Sequence, residues 1–215
     1  MSAPAAALLQ VQGLRFAYAG QAPIASDWSI SITGGVTLLQ GDTGSGKTTL
    51  LRCLSGDLPA AGLLTLDGAQ LGIDRDAYRR RLFKHPLLSD RGADACEPLT
   101  ARACTALLGE EDAGFDATEW EMLVAGFALV PHLDKPLYML STGSKRKVWL
   151  AAGLASGRAL VLLDEPGAAL DSASIRCLHA ALGRRSQRRD AAVIVASAEP
   201  LDGIELAAVI RLPLR

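Results

Sequence analysis

The chain contains a glycine-rich segment at positions 41–49 that ends in one lysine and two threonines. The spacing G-x-x-x-x-G-K-T, between an apolar stretch and a helical pattern, is typical of a loop that binds phosphate. Glycines let successive backbone N–H groups point at one anion, and the helix that follows adds the positive end of its dipole. The competing interpretation is an ordinary glycine turn. We predict a nucleoside triphosphate site made of Gly41, Asp42, Thr43, Gly44, Ser45, Gly46, Lys47, Thr48 and Thr49.

Four side chains have chemistry that suits such a site. Lys47 carries a charge for the β- and γ-phosphates, and Thr48 has a hydroxyl that can bind Mg²⁺. The apolar run at 159–163 predicts a buried strand, and Asp164 and Glu165 follow it directly. A carboxylate in the place of Asp164 can hold Mg²⁺, and the next one, Glu165, can orient or deprotonate water. The alternative for this acidic pair is a turn or a helix-start signal.

A second candidate anion site lies about a hundred residues after the first. A helical pattern begins after Ser141, Thr142, Gly143 and Ser144. Ser141 can cap that helix by itself, which is the simpler interpretation. Further hydroxyls and a glycine at a helix N-terminus also suit an anion. Two phosphate-binding elements so far apart in sequence suggest a composite site, in which the second element serves the nucleotide of a neighbouring chain.

The other elements predict an α/β fold. The short strand at 35–40 and the apolar runs at 159–163, 191–196 and 207–212 alternate with helical patterns. Such alternation indicates a mostly parallel sheet covered on both faces. The segment before position 70 favours antiparallel β structure, and the middle of the chain favours helices.

Local signals predict where several elements begin and end. Gly13 is expected to divide two short strands, and a basic helix is expected over 74–83. Thr100 is predicted to cap one helix. Thr118 is predicted to cap the next, because Glu121 follows it at capping-box spacing.

Composition restricts the class of protein. The 215 residues are 49% hydrophobic and 21% charged, which is ordinary for a globular chain. A net charge of −1 gives no electrostatic reason to expect nucleic acid or anionic lipid as the main partner. The four cysteines lack metal-ligand spacing, and a reduced cytosolic compartment fits them. No apolar run approaches the ~20 residues that cross a bilayer, so a transport role would require another chain in the membrane.

With these motifs in place, the chain resembles the nucleotide-binding subunit of ATP-binding cassette (ABC) transporters over essentially its full length. The resemblance depends on the loop at 41–48, the signature-like stretch at 140–144, the acidic strand at 159–165 and a D-loop-like stretch at 169–171. It implies a single P-loop NTPase domain of the ABC type over 1–215. The core would be a mostly parallel sheet, with an N-terminal antiparallel β part and a helical subdomain inserted at about 86–157.

The resemblance also assigns roles to residues. Tyr18 matches the aromatic residue on which adenine stacks, and Asp171 matches a residue that helps communication between sites. Lys47 and the loop amides would bind ATP, Thr48 and Asp164 would hold Mg²⁺, and Glu165 would be the general base. Ser141 and Gly143 would contact ATP on the other subunit of a head-to-tail dimer. The helical subdomain would grip a transmembrane permease.

Two positions depart from the family pattern. His85 stands where the family has a glutamine that senses Mg²⁺ and water, and imidazole can replace part of that role. Ala198 stands where a histidine contacts the γ-phosphate, and a methyl group cannot make that contact. Thr142 and Ser144 are milder changes within the signature. We therefore expect intact ATP binding and slowed hydrolysis.

The function implied is an ATP-hydrolysing subunit that powers a separate permease, peripheral on the cytoplasmic face of the membrane and active as a homo- or heterodimer. One alternative is a non-transport ABC ATPase that remodels nucleic acid or ribosomes. It fits less well because the chain lacks a second cassette and long basic insertions. Another is a regulatory cassette in a heterodimer, which Ala198 favours and Glu165 opposes.

Overall fold

The strand that leads into the glycine-rich loop lies inside a parallel sheet. A computed structural model describes residues 6–84 and 96–214. In it, β3 (Gly35–Gln40) pairs in parallel with β8 (Ala192–Ser197) on one side and β9 (Leu206–Arg211) on the other. Two further strands, β7 (Leu160–Asp164) and β6 (Leu82–Lys84), complete the order β6-β7-β8-β3-β9. The predicted α/β class with a parallel core is confirmed.

The central strands of this sheet are buried on both faces, which explains why β7 and β8 are apolar up to their last residues. In β7, Val161 and Leu163 pack into one core cluster, and Leu160 and Leu162 pack into the other. Neighbouring β8 alternates in the same way, since side chains along a strand point to opposite faces. A polar residue is therefore favoured only where these strands end.

An antiparallel sheet covers one side of the core, as predicted. It contains β1 (Leu9–Phe16), β2 (Ala25–Ile32), β4 (Ala61–Leu66) and the short β5 (Ala69–Gln70), in the order β2-β1-β4-β5. The expectation that Gly13 divides two strands is wrong. β1 is continuous, and its register shifts around Gly13, whose φ of 61° makes room for a bulge.

Helices fill both sides of the parallel sheet. They are α1 (Lys47–Leu54), α2 (Arg75–Arg80), α3 (Ala101–Glu110), α4 (Ala117–Gly126), α5 (Thr142–Ala155) and α6 (Ser172–Ser186). The first helix, α1, packs Leu50, Leu51 and Leu54 into the cluster shared with the antiparallel sheet. On the other face, α5 and α6 pack through Val148 and Leu178.

The helix ends confirm one predicted cap and correct two predictions. Thr100 caps α3, where its hydroxyl accepts from the Ala103 N–H at 3.1 Å. Thr118 lies inside α4 instead, and the side chain of Asp116 caps that helix. The helix predicted over 74–83 ends at Arg80, because Leu82 joins the edge strand β6. Within residues 6–84 and 96–214, no helix has the length and apolar content to span a bilayer. The division of the chain into a single domain with a subdomain at 86–157 stays a prediction.

Candidate nucleotide-binding site

The glycine-rich loop turns directly from β3 into α1. Gly44 and Gly46 have φ values of 81° and 101°, a region that side chains other than glycine rarely adopt. A Cβ at Gly46 would also lie 3.1 Å from the Ile24 side chain. Gly46 is the N-cap of α1, which begins at Lys47. The first amides of this helix lack intrahelical acceptors, so the loop presents N–H donors at a positive dipole end.

The Lys47 side chain is folded into the loop and is only 6% exposed. Its Nζ donates to the carbonyl oxygens of Gly41 at 2.6 Å and Asp42 at 3.1 Å. It also lies 3.1 Å from Glu165 Oε1. A lysine ammonium has three donors; two bond the loop carbonyls, and the Glu165 carboxylate lies beside the ammonium as an ion pair. A phosphate oxygen that binds Lys47 would compete with the Glu165 carboxylate, which is 42% exposed and can move more easily than the loop carbonyls.

Thr48 and Asp164 meet although 116 residues separate them in sequence. The Thr48 hydroxyl donates to Asp164 Oδ2 at 2.7 Å. Burial raises the pKa of Asp164, and the bond from Thr48 counteracts this. The other oxygen, Oδ1, is buried and has no hydrogen-bond partner among the described residues. A hydroxyl and a carboxylate with an unused buried oxygen are hard oxygen ligands, so the pair fits Mg²⁺.

Glu165 has an unusual backbone conformation for a residue other than glycine, with a φ of 43°. Its N–H donates to the Ala196 carbonyl of β8 at 2.9 Å. Its own carbonyl accepts from the Ala168 N–H at 3.0 Å and from Arg146 Nη1 at 2.6 Å. Sequence reasoning missed Arg146, which lies on α5. The only signal was the basic run at 145–147, and such runs on helices are usually solvated.

The predicted second anion site forms the first turn of α5. The Ser141 hydroxyl accepts from the Ser144 N–H at 3.1 Å and lies 3.0 Å from the Ser144 hydroxyl. Ser141 and Thr142 are exposed, so this turn is accessible to another molecule. A Cβ at Gly143 would lie 3.4 Å from the Ala169 carbonyl, so the stretch after Glu165 passes close to it.

The remaining predicted residues lie at different distances from this centre. Tyr18 reaches α1, where its hydroxyl is 3.2 Å from Thr49 Oγ1, and its ring packs edge-on against Phe16 at 5.0 Å. Asp171 caps α6 and pairs with Lys147 at 2.7 Å; that hydrogen bond holds the pKa of Asp171 far below its usual range. Ala198 is exposed just after the end of β8. His85 lies outside the described residues.

Comparisons with known proteins identify the family of this chain. The family model described as ABC transporter matches residues 27–168. The chain is 40% identical over 152 residues to the "Cytochrome c biogenesis ATP-binding export protein CcmA" of Rhodospirillum rubrum. That alignment covers 70% of this chain and 63% of the relative, which is less than two thirds of the relative's length.

Two further matches extend over more of the chain. It is 32% identical over 190 residues to the "Zinc import ATP-binding protein ZnuC" of Halorhodospira halophila, covering 88% of this chain and 67% of that protein. A solved ABC transporter ATP-binding protein from Pyrococcus furiosus superimposes with a TM-score of 0.72 at 22% identity, covering 95% of this chain and 96% of that one. At this identity the match shows the P-loop fold alone. Together with the family match, the sequence relatives establish that this chain belongs to the ABC transporter family.

Proposed function

We propose that this chain hydrolyses ATP, with Mg²⁺, to power a separate transmembrane permease. The observation that carries the proposal is the meeting of two distant segments at one edge of the parallel sheet. Thr48 bonds Asp164, and Lys47 pairs with Glu165. These contacts place two carboxylates beside a phosphate-binding loop, and phosphoryl transfer to water requires such groups.

The proposed mechanism divides the work among these residues. The loop amides and Lys47 bind the phosphate chain, and Thr48 and Asp164 would hold Mg²⁺. When bound, the ion would neutralise charge on the β- and γ-phosphate oxygens. Glu165, released from Lys47 by the entering phosphate, orients the attacking water and accepts its proton. Tyr18 lies beside the loop helix, where a half-exposed ring can stack on a base.

The second anion site supports a dimer in which each nucleotide lies between two chains. The first turn of α5 is exposed and presents amides and a hydroxyl. Within the described residues, the Ser141 hydroxyl bonds Ser144 rather than the loop at 41–49. An exposed helix start with such donors suits the γ-phosphate held by a partner chain.

A permease partner would place this chain at the cytoplasmic face of a membrane. The helical region between β6 and β7 exposes large apolar side chains, which favour a docking surface. Among them are Met122, Tyr138 and Met139, exposed by 46%, 63% and 61%. The two named relatives are described as an export and an import protein, so they support transport without choosing its direction or substrate.

Steady-state phosphate release tests the enzymatic part of the proposal. We expect Mg²⁺-dependent ATP turnover by the purified chain, loss of turnover and of nucleotide affinity in Lys47→Ala, and loss of turnover without loss of nucleotide affinity in Glu165→Gln. Arg102→Met is the matched control. It removes an exposed cation that pairs with Asp134, far in sequence from the site. Turnover that survives in Lys47→Ala would contradict the proposal. Co-purification of a multi-span membrane protein from detergent extract tests the permease.

Ala198 favours a second candidate, a regulatory cassette that binds ATP and turns it over slowly within a heterodimer. Its methyl group lies at the same edge of the sheet as Glu165 and offers no hydrogen bond. Tight ATP binding without measurable turnover in the chain alone, together with turnover on addition of a sister cassette, would favour this candidate.

A further inference from the structure

Among the described residues, three hydrogen bonds hold the backbone of Glu165. Two come from the main chain, through the Ala196 carbonyl and the Ala168 N–H. The third is the 2.6 Å bond from the Arg146 guanidinium to the Glu165 carbonyl. A positive φ at a residue other than glycine is strained and persists only where the surroundings hold it. Of the three, only the Arg146 bond can be removed by changing a side chain.

Arg146 lies on the helix whose first turn is the second anion site. It is five residues from Ser141, in the second turn of α5. The next residue, Lys147, pairs with Asp171, which caps α6 just beyond the acidic strand. Two consecutive side chains of α5 therefore bind the two ends of the segment after β7. Arg146 binds Glu165 at its start, and Lys147 binds Asp171 at its end. The helix and the catalytic carboxylate are fixed relative to each other by side chains.

We propose that Arg146 is a positioning residue for catalysis: it holds the backbone of Glu165 so that the carboxylate of the same chain faces the triphosphate. This deepens the proposed function and depends on it for the catalytic role of Glu165. Arg146 touches neither phosphate nor water in this scheme. It acts through the Glu165 carbonyl.

The structure separates this role from a role in folding. Arg146 Nε is buried and has no hydrogen-bond partner among the described residues, so the side chain carries an unsatisfied donor. Replacing Arg146 removes this unsatisfied donor but also loses the bond to Glu165. The two effects on the free energy of unfolding oppose each other, so the unfolding temperature should change little. A residue retained mainly for stability would be expected to lower the unfolding temperature when replaced.

The test compares Arg146→Met, Arg146→Lys and the control Arg102→Met. For Arg146→Met we expect kcat to fall by about 10- to 100-fold, with KM for ATP and the unfolding temperature near those of the parent chain, because a misplaced catalytic group costs rate rather than binding. Arg146→Lys should recover part of the rate, since an ammonium can still donate one bond to the carbonyl. Unchanged kcat in Arg146→Met, or a loss of rate matched by a fall in unfolding temperature, would overturn the proposal.

Hydrogen–deuterium exchange of the chain without nucleotide supplies a readout that does not need hydrolysis. Arg146→Met should speed the exchange of the amides of Glu165, Gly167 and Ala168, and Arg102→Met should leave it unchanged. Exchange at parental rate in Arg146→Met would show that the arginine does not hold Glu165. If the parent chain shows no turnover, the proposed hydrolysis fails. The exchange result then still decides whether Arg146 fixes this backbone.

Discussion

Lys47 Nζ lies 3.1 Å from Glu165 Oε1, so the lysine proposed to bind phosphate and the carboxylate proposed to activate water are paired with each other. The ammonium is buried and the carboxylate is partly exposed. Because the other two donors of Lys47 bond loop carbonyls, phosphate and Glu165 compete for the same position. Binding of the triphosphate would thereby free the carboxylate at the time when it is needed.

This competition predicts that Glu165→Gln binds ATP more tightly than the parent chain. Removing the charge weakens the internal pair, and a partly exposed pair is worth about 0–1 kcal/mol, so the Kd should fall by up to about fivefold. Fluorescent ATP titration measures it. Glu121→Gln, on an exposed position of α4, is the charge-matched control. If Glu165→Gln binds ATP no more tightly than the parent chain, phosphate and the Glu165 carboxylate do not compete for Lys47.

Replacing the methyl group of Ala198 should speed hydrolysis. A histidine there could bond the γ-phosphate, and one such contact is worth about 10²–10³ in rate. We expect Ala198→His to raise kcat with little change in KM. Ala198→Leu, which adds bulk without a donor, should give no gain. Equal rates in the parent chain and Ala198→His would mean that another group already makes this contact.

A mixing experiment tests whether Ser141 acts on the nucleotide of a partner. Ser141→Asp keeps a good helix cap while placing a negative charge toward the γ-phosphate. Heterodimers of Lys47→Ala with Ser141→Asp chains should retain one intact site and about half the activity of the parent dimer. Heterodimers of the parent with a chain carrying both substitutions should have none. The reverse pattern, with activity only in the mixture of the parent and the doubly substituted chain, would rule out sites shared between chains.

The pair of Asp171 and Lys147 predicts a pH-dependent contribution to stability. The bond from Lys147, and then those from Ser174, lower the pKa of Asp171. The folded state therefore favours the ionised carboxylate, and its contribution is present above the ordinary pKa of about 3.9 and is lost as the pH falls toward the lowered value. Asp171→Asn, which still caps α6, should have a lower unfolding temperature than the parent at pH 7. The two temperatures should converge in acid. A constant difference across pH would contradict this.

The sequence-based predictions succeed where local chemistry leaves one solution. The loop at 41–49 needs glycines at two positions of positive φ, and Ser141 has a suitable hydroxyl at a helix start. They fail where two solutions compete. Both Asp116 and Thr118 can cap α4, and the carboxylate two residues earlier is the one that the chain uses. Arg146 was hidden because its acceptor is a backbone carbonyl 19 residues away, and no residue type marks such an acceptor.

In the proposed dimer, the bonds from Arg146 and Lys147 make α5 a connection between two nucleotide sites. Its first turn would contact the triphosphate bound to the partner chain, and its second turn holds the segment after β7 in its own chain. Free-energy coupling is reciprocal, so occupancy of either centre would alter affinity at the other by the same factor. ATP binding to the dimer should therefore be cooperative, and Arg146→Met should reduce that cooperativity.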